Sequence, residues 1–173
     1  MGRDKAGLRL GRRTLLGQIR ATARECGLPT RVIRHDRVPT CGPLGGIYTA
    51  LATGRAETVL FLSCDMPFVS TRLLRAILRR FSRPKEALFV ERNQRVSFPF
   101  LLRRTTFPAI GRQLTKKEFS LQMLARALHA QTLRPSRSQE AELTDINTPE
   151  DYGRALESFK RGGPGELRWD LCA

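Results

Sequence analysis

The residues whose types and settings suit chemistry on an anion are few. Lys5 stands beside Asp4 and Arg3 in the polar opening MGRDK, ahead of a helix, where an ammonium group can neutralise phosphate charge. A lysine in such a stretch is solvated in most proteins, so it carries little by itself. CGPLGG (Cys41, Gly42, Pro43, Leu44, Gly45, Gly46) sets three glycines around a proline directly before a helix. Bare backbone there lets a ligand approach closely, and the N–H groups of a helix start favour anions or polar base edges. The same composition suits a tight turn packed on a sheet, and the segment alone does not choose. Asp65, in SCDMPF, follows an apolar run. One carboxylate suffices for magnesium, which takes its other ligands from phosphate oxygens and water. Asp65 equally suits a cap on the turn before Pro67.

The elements that must position these groups follow from periodicity. Leu15, Leu16, Ile19 and Ala23 recur at helical spacing after Thr14, and Gly27 with Pro29 stops that helix. Val32 and Ile33 predict a short strand within 31–34, ending at Asp36. A helix is expected over 47–53, closed by Gly54. The segment 58–63, TVLFLS, is apolar on both faces, which predicts a central parallel strand covered by helices. Helices are expected over 71–81, 107–113 and 120–130, with strands over 87–90, 96–102 and 131–133. Pro99 argues for an edge or a bulge. In TDINTPEDY, Thr148 caps a last helix, Pro149 takes its first position and Asp151 completes a capping box. Alternating strands and helices imply a mostly parallel sheet with helices on both faces, where ligands bind beyond the carboxyl ends of strands. Asp36 with CGPLGG, and CDMPF, both fall at such ends. Residues 1–160 read as one domain and 161–173 as a Gly-rich flexible tail.

Taken in order, MGRDKAGL, the RTLL helix, Asp36 with CGPLGGIYTAL, LFLSCDMPFVS, SFPFLLRR and TDINTPEDY resemble the molybdenum cofactor guanylyltransferase family over most of the chain. The resemblance implies a Rossmann-like, three-layer α/β/α nucleotidyltransferase domain. It also implies transfer of GMP from GTP to the phosphate of molybdenum-bound molybdopterin, with release of pyrophosphate and a need for magnesium. Carried over by motif, Lys5 and Arg3 meet the GTP phosphates, and Asp36, Gly42, Pro43, Leu44 and Gly45 surround the nucleotide. Asp65 holds magnesium and touches GTP. Asn147 lies near the same cleft, and Lys116 and Lys117 fall where the family has basic residues facing molybdopterin. The implied partners are GTP, molybdopterin and other molybdenum-cofactor assembly proteins.

Two departures stand beside the resemblance. The family opens with a strand and a loop of the form LAGGxSxRMG, and Met1 coincides with the methionine of that loop. The first strand is therefore expected to be missing, through a truncation or a start assigned downstream. Where the family often has two strands before CGPLGG, this chain has room for one.

The chemistry implied needs positioning and charge neutralisation, and the attacking phosphate is already an anion, so no general base is required. Histidines are scarce, with His35 beside Asp36 and His129 expected at the surface. The net charge of +15 over 173 residues concentrates anions near the protein. Nucleic acid is the poorer candidate anion, because the basic stretches lack interleaved aromatics. A related cytidylyltransferase, a non-catalytic basic binding protein and an inactive truncated remnant are the competing readings. The four cysteines have no CxxC spacing, which argues against a zinc site or a disulfide framework and for a reducing cytoplasm. The longest apolar run, 59–62, is too short to cross a membrane.

Overall fold

A computed structural model describes residues 5–82 and 84–162. The fold divides into two compact units, each assembled from separated stretches of chain. Unit 1 comprises Met1–Pro29, Ser63–Leu74 and Pro135–Ala173, and unit 2 comprises Thr30–Leu62 and Arg75–Arg134. The expected tail beyond residue 162 lies outside the described residues.

Unit 2 is built on a sheet of four strands among the described residues: β3 (Thr58–Phe61), β4 (Ala87–Arg92), β5 (Arg95–Arg103) and β6 (Gln131–Leu133), in the order β3-β5-β4-β6. The sheet is mixed, correcting the mostly parallel expectation. β4 and β6 run parallel, whereas β5 is antiparallel to both of its neighbours. The cause is the connection between β4 and β5. Only Asn93 and Gln94 separate these strands, with φ of 50° and 60°. Two left-handed residues make a tight hairpin turn, and a link that short cannot cross over to a parallel strand.

β3 is also not the central strand expected. It lies at the end of the strand order, and all four of its residues are half-buried. The buried stretches of the sheet are residues 87–90 of β4 and 99–102 of β5. Pro99 lies inside β5, away from the sheet margin, and the register explains how it is tolerated. Phe89 faces Phe100 while the next residue, Val90, faces Ser97, so Phe98 and Pro99 bulge out of the ladder. A residue without an N–H costs nothing where no ladder donor is needed.

One face of this sheet packs on three helices: α2 (Pro43–Thr53), α4 (Phe107–Thr115) and α5 (Leu121–Ala127). Leu44, Ile47 and Leu51 from α2 meet Ala87, Phe89, Phe100 and Leu102 from the strands, with Ile110, Leu124 and Ala125 completing the cluster. The strand residues alternate, as a two-residue period requires. Phe89 and Phe100 stack with ring centres 4.6 Å apart. The segment 31–34 forms no strand. Val32 is exposed, because an isolated Val–Ile pair flanked by arginines has no partner ladder there. α2 begins at Pro43, four residues before the expected start, since proline at a first helical position needs no N–H.

Unit 1 opens with a hairpin, β1 (Arg9–Leu10) against β2 (Arg13–Thr14), and runs into α1 (Leu15–Glu25). Thr14 caps α1 by accepting from Gly17 N at 3.0 Å. Gly11 turns the hairpin at φ +63°, and a β-carbon there would meet Phe159 Cε1 at 2.4 Å. Phe159 belongs to α7 (Pro149–Lys160), whose Tyr152 hydroxyl donates to Arg9 O at 2.5 Å. Leu10, Leu15, Phe68, Ile146 and Ala155 form the core of this unit. The chain reaches α7 through a short helix α6 (Arg137–Glu140) and a 3₁₀ turn, Ala141–Leu143. Helix α3 (Thr71–Arg80) begins in unit 1 and ends in unit 2, with Leu73, Leu74 and Ile77 fully buried.

Candidate functional site

In unit 1 the segment CDMPF leaves β3 as two successive turns, Met66 N to Ser63 O and Val69 N to Met66 O, both at 3.4 Å. Met66, Phe68 and Val69 are buried and anchor this loop. Its backbone is joined to the segment before α7, because Ile146 N donates to Asp65 O at 2.8 Å. Asp65 Oδ1 is buried and accepts no hydrogen bond. A buried carboxylate oxygen left in that condition is costly, and a cation relieves the cost. Asp145, beside Ile146, brings a second carboxylate with a buried Oδ1 to the same junction. Among the described residues no three His, Cys, Asp or Glu side chains gather in a metal-sized group. A magnesium ion held by one or two carboxylates together with phosphate oxygens and water needs no such cage, so the donors fit it.

Asn147 adjoins this junction and meets Lys5. Lys5 Nζ donates to Asn147 Oδ1 at 2.9 Å, joining residues 142 positions apart. Lys5 lies in a 3₁₀ turn, Lys5–Gly7, closed by Leu8 N donating to Lys5 O at 3.1 Å. The N-terminal cap of α7 holds Asn147 in place. Asn147 N and Thr148 N both donate to Asp151 Oδ2, at 2.9 and 2.8 Å, and Asp151 N donates to Thr148 Oγ1 at 3.1 Å. The N–H of Thr148, then that of Asn147, keeps the Asp151 carboxyl below its ordinary value, with Arg154 adding to the effect. The expected capping box is present. Three of the predicted residues, Lys5, Asp65 and Asn147, thus come together through one backbone bond and one side-chain bond.

Asp36 and the glycines form a separate group in unit 2. Gly42, at φ +55°, precedes Pro43 at the start of α2. A β-carbon on Gly45 would lie 2.6 Å from Asp36 Oδ2 and 2.7 Å from Val38 O, so glycine is required. Gly46 is more open, 3.5 Å from Asp36 Oδ1 by the same measure. Arg37 N donates to Thr49 Oγ1, which donates to Gly45 O, both at 2.8 Å, so this loop is stitched along the first turns of the helix. Leu44 is fully buried in the core, so its side chain is not offered to a ligand.

Lys116 and Lys117 close α4. Lys117 is left-handed at φ 58°, with its N–H donating to Leu114 O and that of Glu118 donating to Gln113 O, a Schellman motif. Buried Gln113 fixes this turn by donating from Nε2 to Glu118 O at 2.6 Å and to Ser120 O at 2.8 Å. Arg3 lies outside the described residues.

Sequence reasoning missed Asp145 and Gln113. Asp145 had a signal, since in DIN the outer residues share one side of an extended chain. Gln113 had none, because a glutamine inside a helix pattern does not announce its burial.

The family described as MobA-like NTP transferase domain matches residues 1–133. The chain belongs to this MobA-like family. A probable molybdenum cofactor guanylyltransferase of Flavobacterium johnsoniae is 30% identical over 118 residues, which cover 67% of this chain and 62% of that protein. The molybdenum cofactor guanylyltransferase of Xanthomonas euvesicatoria pv. vesicatoria is 29% identical over 172 residues, covering 90% and 87%. The chain spans less than two thirds of the first of these relatives. Among solved structures, the molybdopterin-guanine dinucleotide biosynthesis protein A of Archaeoglobus fulgidus superposes with a TM-score of 0.70 over 92% of each chain at 16% identity, a likeness of fold. MobA-like membership makes the chain a member of an NTP transferase family. No described helix is long and apolar enough to cross a membrane.

Proposed function

We propose that this protein transfers GMP from GTP to the phosphate of molybdenum-bound molybdopterin, working as one three-layer nucleotidyltransferase domain over residues 1–160 in the cytoplasm. A phosphate oxygen of the pterin attacks the α-phosphorus of GTP. The bond from that phosphorus to the bridging α–β oxygen breaks, and pyrophosphate leaves. The observation that carries the reading is the buried Asp65 Oδ1 without a hydrogen bond, joined by backbone to the segment that bears Asn147.

Asp65, with Asp145 beside it, would hold the magnesium ion. Magnesium supplies charge stabilisation on the departing pyrophosphate. Lys5 and Arg3 neutralise the polyphosphate, and Asn147 orients the Lys5 ammonium through its Oδ1. Asp36 and the backbone from Gly42 to Gly45 receive the nucleotide, with the missing β-carbon of Gly45 keeping room for the Asp36 carboxylate. Lys116 and Lys117 face the anionic pterin. Fixed cations of this kind act by positioning two anions together, which is what an uncatalysed encounter lacks. Other molybdenum-cofactor assembly proteins are the partners this reaction implies.

Calorimetric titration of the chain with GTP and CTP, with and without magnesium, tests the reading. GTP is expected to bind more tightly than CTP and more tightly with magnesium than without it, and Asp65→Ala is expected to abolish that magnesium-dependent gain. Preference for CTP moves the assignment to a cytidylyltransferase. No affinity for either nucleotide sinks it.

A further inference from the structure

The loop that carries Asp65 and the segment that carries Asn147 share a second connection, and it ends on a buried carboxylate. Ser70 N donates to Glu142 Oε2 at 3.1 Å, away from solvent. Both residues are only 8% exposed. Ser70 is held from its other side as well, since its Oγ accepts from Leu73 N at 3.1 Å in the first turn of α3. Together with the Ile146 N to Asp65 O bond, this makes a pair of clamps, one at each end of the 65–70 stretch. Met66, Phe68 and Val69 are buried between them, and Leu143 and Ile146 are buried on the opposing segment.

Glu142 forms no ion pair among the described residues. Burying a carboxylate without a cation is expensive, and an apolar side chain at such a position is the cheaper solution for stability. Its contribution is geometric: it accepts the one N–H that fixes where the turn from Asp65 to Ser70 ends.

We propose that Glu142 is a positioning residue for the metal site, holding the Asp65 loop against the 142–147 segment that bears Asp145 and Asn147. The proposal rests on the reading of Asp65 as a magnesium ligand. Glu142 touches neither metal nor substrate. It acts through the Ser70 N–H, as outer partners that orient a metal ligand do.

Manganese, a spectroscopic substitute for magnesium, is titrated into the full chain saturated with GTP, and free manganese is read by electron paramagnetic resonance. Glu142→Gln keeps an acceptor oxygen at the same reach and should hold manganese within about threefold of the parent, whereas Glu142→Leu should weaken it about tenfold or more. GTP affinity without metal should be the same in all three. Equal manganese affinity in folded Glu142→Leu and parent overturns the proposal. So does an equal loss in both variants, which would make charge rather than geometry the cause. Should Glu142→Leu fail to fold, Glu142→Asp, one methylene shorter, replaces it, and unaltered manganese affinity there is equally fatal. A parent chain that takes up no manganese with GTP overturns the Asp65 reading and this proposal together, whereas parent uptake with indifferent Glu142 variants overturns this proposal alone.

Discussion

Asp65 keeps a buried oxygen without a hydrogen bond, a condition that costs roughly 1–3 kcal/mol in a folded protein. The metal-free chain should therefore be stabilised by Asp65→Ala, by about 1 kcal/mol. The same substitution should abolish magnesium-dependent GTP binding. Thermal melts without metal, set beside calorimetry with it, check the opposed signs. Loss of stability in the metal-free melt would mean that Asp65 is a structural cap. At Gly45 the constraint is steric. Gly45→Ala drives a methyl group to 2.6 Å from Asp36 Oδ2 and 2.7 Å from Val38 O, and should cost about 1–3 kcal/mol. Adding Asp36→Ala should restore part of that loss, because the Val38 carbonyl still obstructs. Denaturant unfolding of both variants measures the recovery. At this scale the sequence was readable where a motif states a role. Lys5 and Asn147 were singled out separately, yet their contact spans nearly the whole chain, and local pattern carries no information at that range. Gln113 and Glu142 stayed hidden for the same reason, since burial of a polar side chain is a tertiary outcome.

Elements were legible where one local rule governed them. The α7 start is the clearest case, with Thr148, Pro149 and Asp151 each in the role its chemistry suits. Thr148→Ala should cost about 1 kcal/mol of stability. The Asp151 carboxyl is held below its ordinary value of 3.8 by backbone N–H groups. A depressed carboxyl stabilises the fold above its unfolded value and loses that contribution as pH falls through the lower, folded one. Melts followed below about pH 4 should thus show an acid-side decline, and Asp151→Asn should flatten it. The β4–β5 hairpin shows where a local rule was overlooked. Apolar runs at 87–90 and 96–102 gave both strands, but direction depended on Asn93 and Gln94, two residues with no glycine to flag a left-handed turn. Gln94→Gly should stabilise the hairpin by about 1 kcal/mol, read as a rise in denaturation midpoint. The placement of β3 could not be had from its composition. An apolar run reads the same at the margin of a sheet as at its centre, and only the pairing of other strands decides.

For the whole molecule, the dominant quantity is a net charge of +15. Spread over the surface, it draws both proposed substrates in and repels no reactant, because each is an anion. Nucleotide affinity should fall several-fold between about 0.05 and 0.3 M salt, the range over which screening shortens to roughly a nucleotide's length. Isothermal titrations at graded ionic strength would show it. A flat response would locate the binding energy in buried contacts instead. The division of the chain follows a different logic, which composition does not hold. Unit 2 needs only residues 30–62 and 75–134, while unit 1 draws on the beginning, the middle and the end.

That three-part construction of unit 1 sets an order of events during synthesis. Lys5 leaves the ribosome before Asp65, and Asn147 and the helix that seats Phe159 behind Gly11 follow only after the rest of unit 2. A nascent chain that has reached Arg134 already contains all of unit 2 and none of the partners that complete the Lys5 and Asp65 positions. The candidate site is therefore assembled after unit 2, and a message broken between the codons for Arg134 and Asn147 yields a protein that holds both of those residues and lacks the segment that brings them together.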